Sequence, residues 1–574
     1  MLFRSAIGAV FDRQIRRLDA PTRAALDLAA VLGRRLADLS LYSVVDLSAA
    51  AAGEALSRLR DEGVLREVHG GLEFRNELIR AQAYYGVAGP ARQHLHRSVG
   101  EVLEARAEQF GGSGNLEVAW HFLRGGAPDR AATSAIKGAE AAVSAGALIE
   151  AEQILEILLR EPDTEHATQP LLLLLARALV GQSRAEAASS VLTRLCNEGG
   201  LSKPAHALTA RMQATVEYLM NREPGSRYCE AADRALEAAR ETGDLELIGN
   251  ALFECARSGV NTGNEERVTT VRRETEQAMG QVGPDVPPIL RYTKAYCDFS
   301  FFELAAAATE LEKAIYTLSG RRDAVGLSLA YTGYGTCRSG LCEFDAACEA
   351  YDKALGFSTR IGDDLKSAII TSNLCVAKLH QGDFASAVTF GQGAVAIASN
   401  ALTPRSVAIH LNLAAALVMS GDREGAQRAV VAAERAIRSE RSWTTNMEFL
   451  LGYASFALEI GDVTLALQLT EAAERLAWGK ERAVPNAGLF DKLRVHRLVH
   501  ARGAESARSL VLECQEKYRQ RHPFFYLDLI ACGAWLDRLS LGRYTAESER
   551  ELALFDKFGA RGLRAILVAQ GILV

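Results

Sequence analysis

The sequence is poor in aromatic residues and has no long apolar run. Aromatic residues make up only 7% of the 574 residues, whereas hydrophobic residues as a whole make up 48%. Alanine and leucine must therefore fill most of the core, which suits close-packed helices better than a β-sandwich. The longest apolar run, residues 413–419, is far shorter than the roughly 20 residues that a membrane span needs. The amino terminus has no signal-peptide pattern, so we expect a cytoplasmic protein without membrane contact.

The sequence also has no excess of one charge and no Cys-x-x-Cys pair. It carries 65 basic and 71 acidic residues, and the two signs are interspersed. Whole-chain electrostatics therefore give no indication of a nucleic-acid or membrane partner. Most of the ten cysteines lie in apolar helical stretches, where disulfides are not expected. Cys337, Cys342 and Cys348 lack a neighbouring histidine and suitable ligand spacing, so no metal or other cofactor is expected.

Glycine, in contrast, recurs at a regular spacing between helical patterns. Such glycines stand at positions 146, 181, 225, 263, 340, 382, 421, 461, 503 and 542. The period is about 40 residues, which is typical of helical repeats. One turn is missing between Gly263 and Gly340, and the segment around Phe302 and Leu304 falls where that turn should be. The spacing predicts a continuous array over residues 131–574, with about 11 helix pairs.

Small residues follow these glycines at constant distances, as the second helix of a helix-turn-helix unit requires where it crosses the first. Alanines five positions after a glycine are Ala151, Ala387, Ala426 and Ala466, and those seven positions later are Ala394, Ala433 and Ala473. The central repeat resembles the tetratricopeptide pattern through Tyr331, Tyr334, Gly335, Ala347, Tyr351 and Ala354. The alternative, unrelated amphipathic helices with chance glycines, would have to explain ten roughly evenly spaced turns.

The first part of the chain has a different pattern. Residues 21–32 and 49–62 are predicted as helices, with Ser48 as an N-cap, and residues 64–74 alternate around Gly70-Gly71 as a short hairpin. We assign residues 1–90 to a winged-helix-like module and residues 91–130 to connecting helices. The fold prediction is therefore all-α, a tetratricopeptide-like superhelical solenoid preceded by a small degenerate winged-helix module.

Several segments together resemble the region behind the nucleotide-binding domain in bacterial STAND-type regulatory ATPases, including the large ATP-binding LuxR-type transcription regulators. They are LDLAAVLGRRL (26–36), LSRLRDEGVLREV (56–68), LEFRNELIRAQAYYGV (72–87), RQHLHRSVGEVLE (92–104) and VAWHFLRGG (118–126). Separately, ELALFDKFGARGLRAILVAQG (551–571) resembles the closing repeat of the sensor arms in these proteins. The resemblance implies a winged helix that leads into a helical-repeat sensor arm. It is motif-level over residues 20–126 and architectural over the rest.

Three departures limit what the resemblance implies. The sequence has no Gly-x-x-x-x-Gly-Lys-Ser/Thr loop, so we expect no ATP hydrolysis. The family's Phe-x-His at the end of the wing is Phe74-Arg75-Asn76 here, and asparagine cannot change its charge near neutral pH. The carboxy-terminal helix-turn-helix of LuxR-type activators is also missing before Val574.

The predicted interaction patch combines Tyr331, Tyr334, Asn373 and Asn412. Asn373 and Asn412 each lie nine residues before a turn glycine, at equivalent places on neighbouring first helices. In tetratricopeptide repeats this place faces the concave surface, where amides could hold an extended peptide by its backbone. The alternative is that the two asparagines line a merely solvated groove.

The histidines offer no comparable site. His496 and His500 lie four apart, but Arg497 stands where a zincin has its glutamate, so we expect no metal there. His94, His96 and His121 match recurrent histidines of the family and are interpreted as structural.

The sequence thus predicts a non-catalytic regulatory or adaptor protein, which binds a protein, a peptide or a small inducer on its repeats. Its expected setting is bacterial signalling or transcription control, with ligand binding altering the curvature of the array. One alternative is a DNA-binding regulator, although residues 49–62 offer only Arg58 and Arg60 against three acidic residues. The pattern is also compatible with the sensor subunit of a split nucleotide-dependent switch, and with a truncated reading frame.

Overall fold

The computed structural model describes residues 15, 17–68, 71–109, 114–220, 226–283, 285–400, 406–438, 443–478 and 486–574. The predicted turn residues Gly70 and Gly225 lie outside the described residues. The chain divides into two compact units, Met1–Val143 with Ile149–Leu175, and Ser144–Leu148 with Ala176–Val574. The predicted module boundaries at residues 90 and 130 both fall inside the first unit. The division into a winged-helix-like module and connecting helices stays a prediction.

The first unit is mainly helical, with one two-stranded sheet among its described residues. In chain order its elements are α1 (Ala20–Leu32), α2 (Ala49–Asp61), β1 (Leu65–Val68), β2 (Gly71–Phe74), α3 (Glu77–Gly86), α4 (Gly89–Gln109), α5 (Asn115–Arg124), α6 (Pro128–Ala145) and α7 (Leu148–Leu158). Short 3-10 helices cover Gly33–Arg35, Leu39–Val45 and Pro162–Ala167. The helix α8 (Thr168–Gly181) begins in this unit and continues in the second.

Local chemistry explains the order of helices and strands at the amino terminus. The Ser48 hydroxyl accepts a hydrogen bond from the Ala51 amide at 3.2 Å, and so caps α2 as predicted. The strands β1 and β2 pair antiparallel, with Leu65 opposite Phe74. Asn76, at the position of the family's histidine, caps α3 by accepting the Ile79 amide at 2.9 Å. The predicted succession of two helices and a hairpin is confirmed.

The second unit consists of helices in every part that the structure describes. They are α9 (Ala185–Glu198), α10 (Lys203–Met220), α11 (Ser226–Arg240), α12 (Leu245–Thr262), α13 (Glu265–Val282), α14 (Pro288–Ser300), α15 (Leu304–Arg321), α16 (Ala324–Gly340), α17 (Phe344–Ile361), α18 (Asp364–Gln381), α19 (Phe384–Asn400), α20 (Ser406–Met419), α21 (Arg423–Ile437), α22 (Trp443–Glu459), α23 (Val463–Ala477), α24 (Ala487–Arg502), α25 (Ala504–Tyr518), α26 (Pro523–Leu541), α27 (Ala546–Leu552), α28 (Leu554–Lys557) and α29 (Arg561–Ala569).

These helices pack as successive antiparallel pairs, which confirms the predicted all-α repeat fold. The alanines that mark the crossing points are buried, including Ala387, Ala394, Ala426 and Ala433. At the missing turn the chain reverses at Phe302, whose φ is 62°. A non-glycine residue in the left-handed region explains why a search for glycines finds no signal there.

The last helices of the chain also pack against helices that are distant in sequence. The helix α29 packs on α18 and α22, and α26 packs on α16. At the first of these contacts Gly562 approaches the Leu379 carbonyl so closely that a Cβ atom would lie 1.8 Å from its oxygen. Across the described residues, no helix is both long and apolar enough to cross a membrane.

Candidate ligand cavity

A cavity of about 1240 Å³ lies within the second unit, between helices that are far apart in sequence. Residues on its wall come from α10, α12, α13, α14, α18, α20, α22, α24, α25 and α26. In the array, first helices of successive pairs turn equivalent faces to the same side, so their polar residues line one surface. The cavity wall therefore combines side chains from several repeats.

One side of the cavity closes where α22 meets α12. The Thr444 hydroxyl donates a hydrogen bond to the backbone carbonyl of Asn261 at 3.2 Å. Both residues line the cavity, although 183 positions separate them in the chain. Helical periodicity describes neighbours within a helix and in adjacent repeats, so it gives no signal for this contact.

Asn373 and Asn412, the two predicted asparagines, both lie on the cavity wall. The Asn412 amide donates to the Ser372 hydroxyl at 3.0 Å, which fixes its orientation. The half-buried amide of Asn373 has no hydrogen-bond partner among the described residues. It is therefore available to donate to and accept from a bound backbone.

Tyr331 and Tyr334 are not part of this wall, and each contacts a neighbouring helix of the array. Tyr331 stacks on Phe357, with ring centroids 6.2 Å apart. The Tyr334 hydroxyl donates to the Glu312 carboxylate at 2.6 Å. The structure thus brings the two asparagines together but does not bring the tyrosines to them.

A shift in register explains where the tyrosines lie. In the repeats of the asparagines, the turn residue with positive φ is the glycine itself, such as Gly382 at 95°. In the central repeat Gly340 is the last helical residue, and the chain turns at Cys342 with φ of 62°. Counting back nine residues from Cys342 gives Gly333 rather than Tyr331, so the tyrosine side chain lies on another face of α16.

A buried carboxylate organises another part of the cavity wall, for which the sequence predicts nothing. Asp491 is only 4% exposed. It accepts hydrogen bonds from the Tyr518 hydroxyl at 2.7 Å, from Lys517 at 3.2 Å and from Arg494 at 3.4 Å. Burial and the adjacent carboxylate together raise the pKa of Tyr518, which stays a donor. Asp491 thereby holds Lys517 and Arg494 on the cavity wall. A motif within one helix could not have predicted this group, because α24 and α25 each contribute side chains to it.

Aromatic side chains give the cavity an apolar section. Tyr296, Phe299 and Phe301 line it, and Tyr296 packs edge-on against Phe253 with ring centroids 5.3 Å apart. Phe302, the residue at the irregular turn, packs against Tyr518 at 5.5 Å. Amides, charges and aromatic rings therefore face one space, a mixture typical of ligand pockets.

The thiol of Cys514, which lies on the cavity wall, is poorly activated. Burial raises the pKa of the Cys514 thiol to about 12, so the thiol is protonated near neutral pH. Within the described ranges, no group of three or more histidine, cysteine or acidic residues is placed to hold a metal ion. The cavity wall offers hydrogen bonds, charged groups and apolar contacts.

Three of the five histidines singled out by the sequence lie in packed surroundings, whereas His94 and His500 are exposed. His96 and His121 contact each other through their Nδ1 atoms at 3.1 Å, and the Tyr84 hydroxyl contacts His96 Nε2 at 3.0 Å. Burial lowers the pKa of His96 to about 3 and that of His121 to about 4. His496 stacks on Trp535 at 5.0 Å, and burial lowers its pKa to about 4.

The arginines of α2 are already engaged. Arg58 pairs with Asp19 and with Glu54, and Arg60 pairs with Asp61 at 3.0 Å. A helix that reads DNA needs cations free to contact phosphates, so these pairs weaken the DNA-binding alternative.

Comparison with solved structures finds helical-repeat proteins. A STAND protein with a tetratricopeptide-repeat sensor from Pyrococcus horikoshii is 12% identical, with 75% of this chain and 65% of that protein covered and a TM-score of 0.40. This chain thus spans 65% of its length. A Rap protein in complex with Competence and Sporulation Factor is 13% identical, with 69% and 99% covered and a TM-score of 0.38.

The Cut9–Hcn1 assembly of the APC/C is 11% identical, with 96% of this chain and 95% of that chain covered and a TM-score of 0.49. No protein-family model matches the sequence. No curated protein matches it either.

Proposed function

We propose that this chain is a non-catalytic regulatory or adaptor protein that binds a peptide or a segment of a partner protein in the cavity of its second unit. The observation that carries the proposal is the unpartnered amide of Asn373 beside Asn412 on the cavity wall. An amide in this state can pair with both the N–H and the C=O of an extended chain. The aromatic section around Tyr296 would take an apolar side chain of the same ligand.

The setting of this activity is part of the proposal. The resemblance of residues 20–126 to STAND-type and LuxR-type regulators supports a role in bacterial signalling or transcription control, in the cytoplasm. The amino-terminal module would serve as a winged-helix packing element in such a switch. A small inducer is the alternative ligand, because a cavity of about 1240 Å³ could also hold one.

The test is selection of binders from a random peptide library with the full chain, followed by affinity measurement on soluble peptides. We expect the double variant Asn373→Ala/Asn412→Ala to weaken binding by about tenfold or more, since two backbone-directed hydrogen bonds are lost. Asn197→Ala is the matched control, because Asn197 is exposed on α9 and lies outside the cavity wall. Equal affinity of the double variant and the control would contradict the proposal.

A further inference from the structure

Arg211 is a half-buried cation without a counter-charge of its own. It lies on α10, and its Nε atom is fully buried without a hydrogen-bond partner. The guanidinium forms no hydrogen bond or ion pair with the residues that the structure describes. An unpaired charge in such a place is destabilising, because the protein replaces the water that would solvate it.

The carboxylate of Glu254, which raises the pKa of Arg211, is already committed to other groups. Glu254, on α12, is 2% exposed. It accepts hydrogen bonds from the Thr215 hydroxyl at 2.7 Å and from the Tyr228 hydroxyl at 2.9 Å, and it pairs with Arg257. Its single charge therefore neutralises Arg257, and the second arginine is left without compensation.

Neighbouring cations also act on the charge of Arg211. Burial is the main cause that lowers the pKa of this guanidinium, and the charges of Arg177 and Arg257 lower it further, although Glu254 acts in the opposite sense. Arg211 and Arg257 thus depend on the single charge of Glu254. The local charge would be balanced by an anion from outside the chain.

Arg257 connects this group of charges to the cavity wall. The Arg257 guanidinium lies over the ring of Tyr218, at 3.7 Å from its centroid, and Tyr218 is itself part of the cavity wall. A guanidinium presents a planar fork of N–H donors that matches the oxygens of a carboxylate or a phosphate.

We propose that Arg211, with Arg257 beside it, forms an oxyanion-binding subsite that holds a carboxylate or phosphate group of the ligand. The link to a ligand in the cavity rests on the proposed function, whereas binding of a free anion does not.

The test is the melting temperature of the full chain in sodium phosphate, in sodium succinate and in sodium chloride at equal ionic strength. In the wild type we expect phosphate or succinate to raise the melting temperature by about 2–4 °C relative to chloride. In Arg211→Met this shift should disappear, and the melting temperature in chloride should equal or exceed that of the wild type because an unpaired charge has been removed. Arg234→Met is the matched control on exposed surface of α11, and it should keep the full shift.

A second variant keeps the proposal testable if Arg211→Met does not fold. Arg211→Lys retains the charge but loses the fork, and we expect it to fold and to show less than half of the wild-type shift. A shift in phosphate alone identifies a phosphate, and a shift in succinate alone identifies a carboxylate. Absence of a shift in the wild type, or an equal shift in Arg211→Met, would overturn the proposal. An anion shift that persists in Asn373→Ala/Asn412→Ala separates this subsite from peptide binding.

Discussion

Gly335 lies against the ring of Tyr351, so closely that a Cβ atom on residue 335 would stand 2.7 Å from the ring's Cε1 atom. The two residues belong to α16 and α17, the two helices of the central pair. Only a residue without a side chain allows this approach of backbone to ring. The contact is the physical content of the tetratricopeptide pattern that the sequence shows there.

We therefore expect Gly335→Ala to lower the free energy of unfolding by about 1–3 kcal/mol, since the added methyl group would push the Tyr351 ring out of place. Gly356→Ala is the matched control on α17, where a Cβ atom meets nothing within 4 Å. The control should be neutral, or stabilising by up to about 1 kcal/mol. Urea denaturation monitored by circular dichroism measures the stability of both variants. Equal unfolding midpoints for the two variants would contradict the expectation.

The same contact shows why the fold could be predicted from the sequence. The geometry of one helix pair fixes the sequence distances between Gly335, Tyr351 and the buried alanines. The pattern therefore repeats along the chain and can be recognised in the sequence. The turn at Phe302 has no glycine, yet the turns before and after it keep the period. Contacts within a repeat are local in sequence, and local rules describe them.

The cavity could be predicted only in part for the opposite reason. Asn373 and Asn412 are visible in the sequence because adjacent repeats place equivalent residues on one surface. The hydrogen bond from Thr444 to Asn261 joins helices whose separation in sequence follows no period. Such contacts depend on how the whole array packs against itself.

The carboxy-terminal helix α29 offers a second test. We expect Gly562→Ala to detach α29 from α18, because a Cβ atom at this position would overlap the Leu379 carbonyl, and backbone cannot move aside as a flexible side chain can. Hydrogen–deuterium exchange of residues 561–569 should accelerate by at least about tenfold, equivalent to roughly 1.4 kcal/mol of local stability. Gly280→Ala, on open surface of α13, should leave this exchange unchanged.

Glu459, which α29 helps to bury, gives a prediction of pH dependence. Burial raises the pKa of Glu459 to about 7 from an ordinary value of 4.5, with Lys492 and hydrogen bonds from Ser455 and Gln570 opposing the shift. The folded state therefore holds this proton more tightly than the unfolded state, and its contribution to stability falls as pH rises from about 4.5 to about 7.

Glu459→Gln removes this ionisation and retains the carbonyl oxygen that Ser455 and Gln570 can contact. Relative to the wild type, we expect the variant to be more stable at pH 8 by roughly 3 kcal/mol, with the difference shrinking toward pH 5. Urea unfolding of both proteins across this range isolates Glu459, since all remaining titrating groups are shared. A difference that does not change with pH would contradict the expectation.

For the first unit, the pair of His96 and His121 predicts that stability depends on pH in the opposite direction. Because burial lowers both folded-state pKa values below the ordinary 6.5, the unfolded state binds more protons, and stability is lost as pH falls below about 6. Each histidine should cost roughly 1.4 kcal/mol per pH unit until its folded pKa is reached. Exchange rates of amides in α4 and α5 report this loss locally.

His121→Asn should flatten that pH dependence by about half, because one of the two titrating groups is removed. His94→Gln is the control, since His94 is exposed on the same helix as His96 and should leave the slope unchanged. The same slope in all three proteins would show that the pair does not titrate as proposed.

The contact between α12 and α22 also changes how the array can come apart. Stability in a simple repeat array is a sum of local terms, so such arrays can fray from an end one repeat at a time. Here the hydrogen bond from Thr444 to Asn261 and the docking of α29 on α18 connect repeats that are not neighbours. Losing one repeat between these points would also break contacts at distant positions. The middle of the second unit should therefore unfold as one cooperative block, and a ligand held there would stabilise all of its repeats at once.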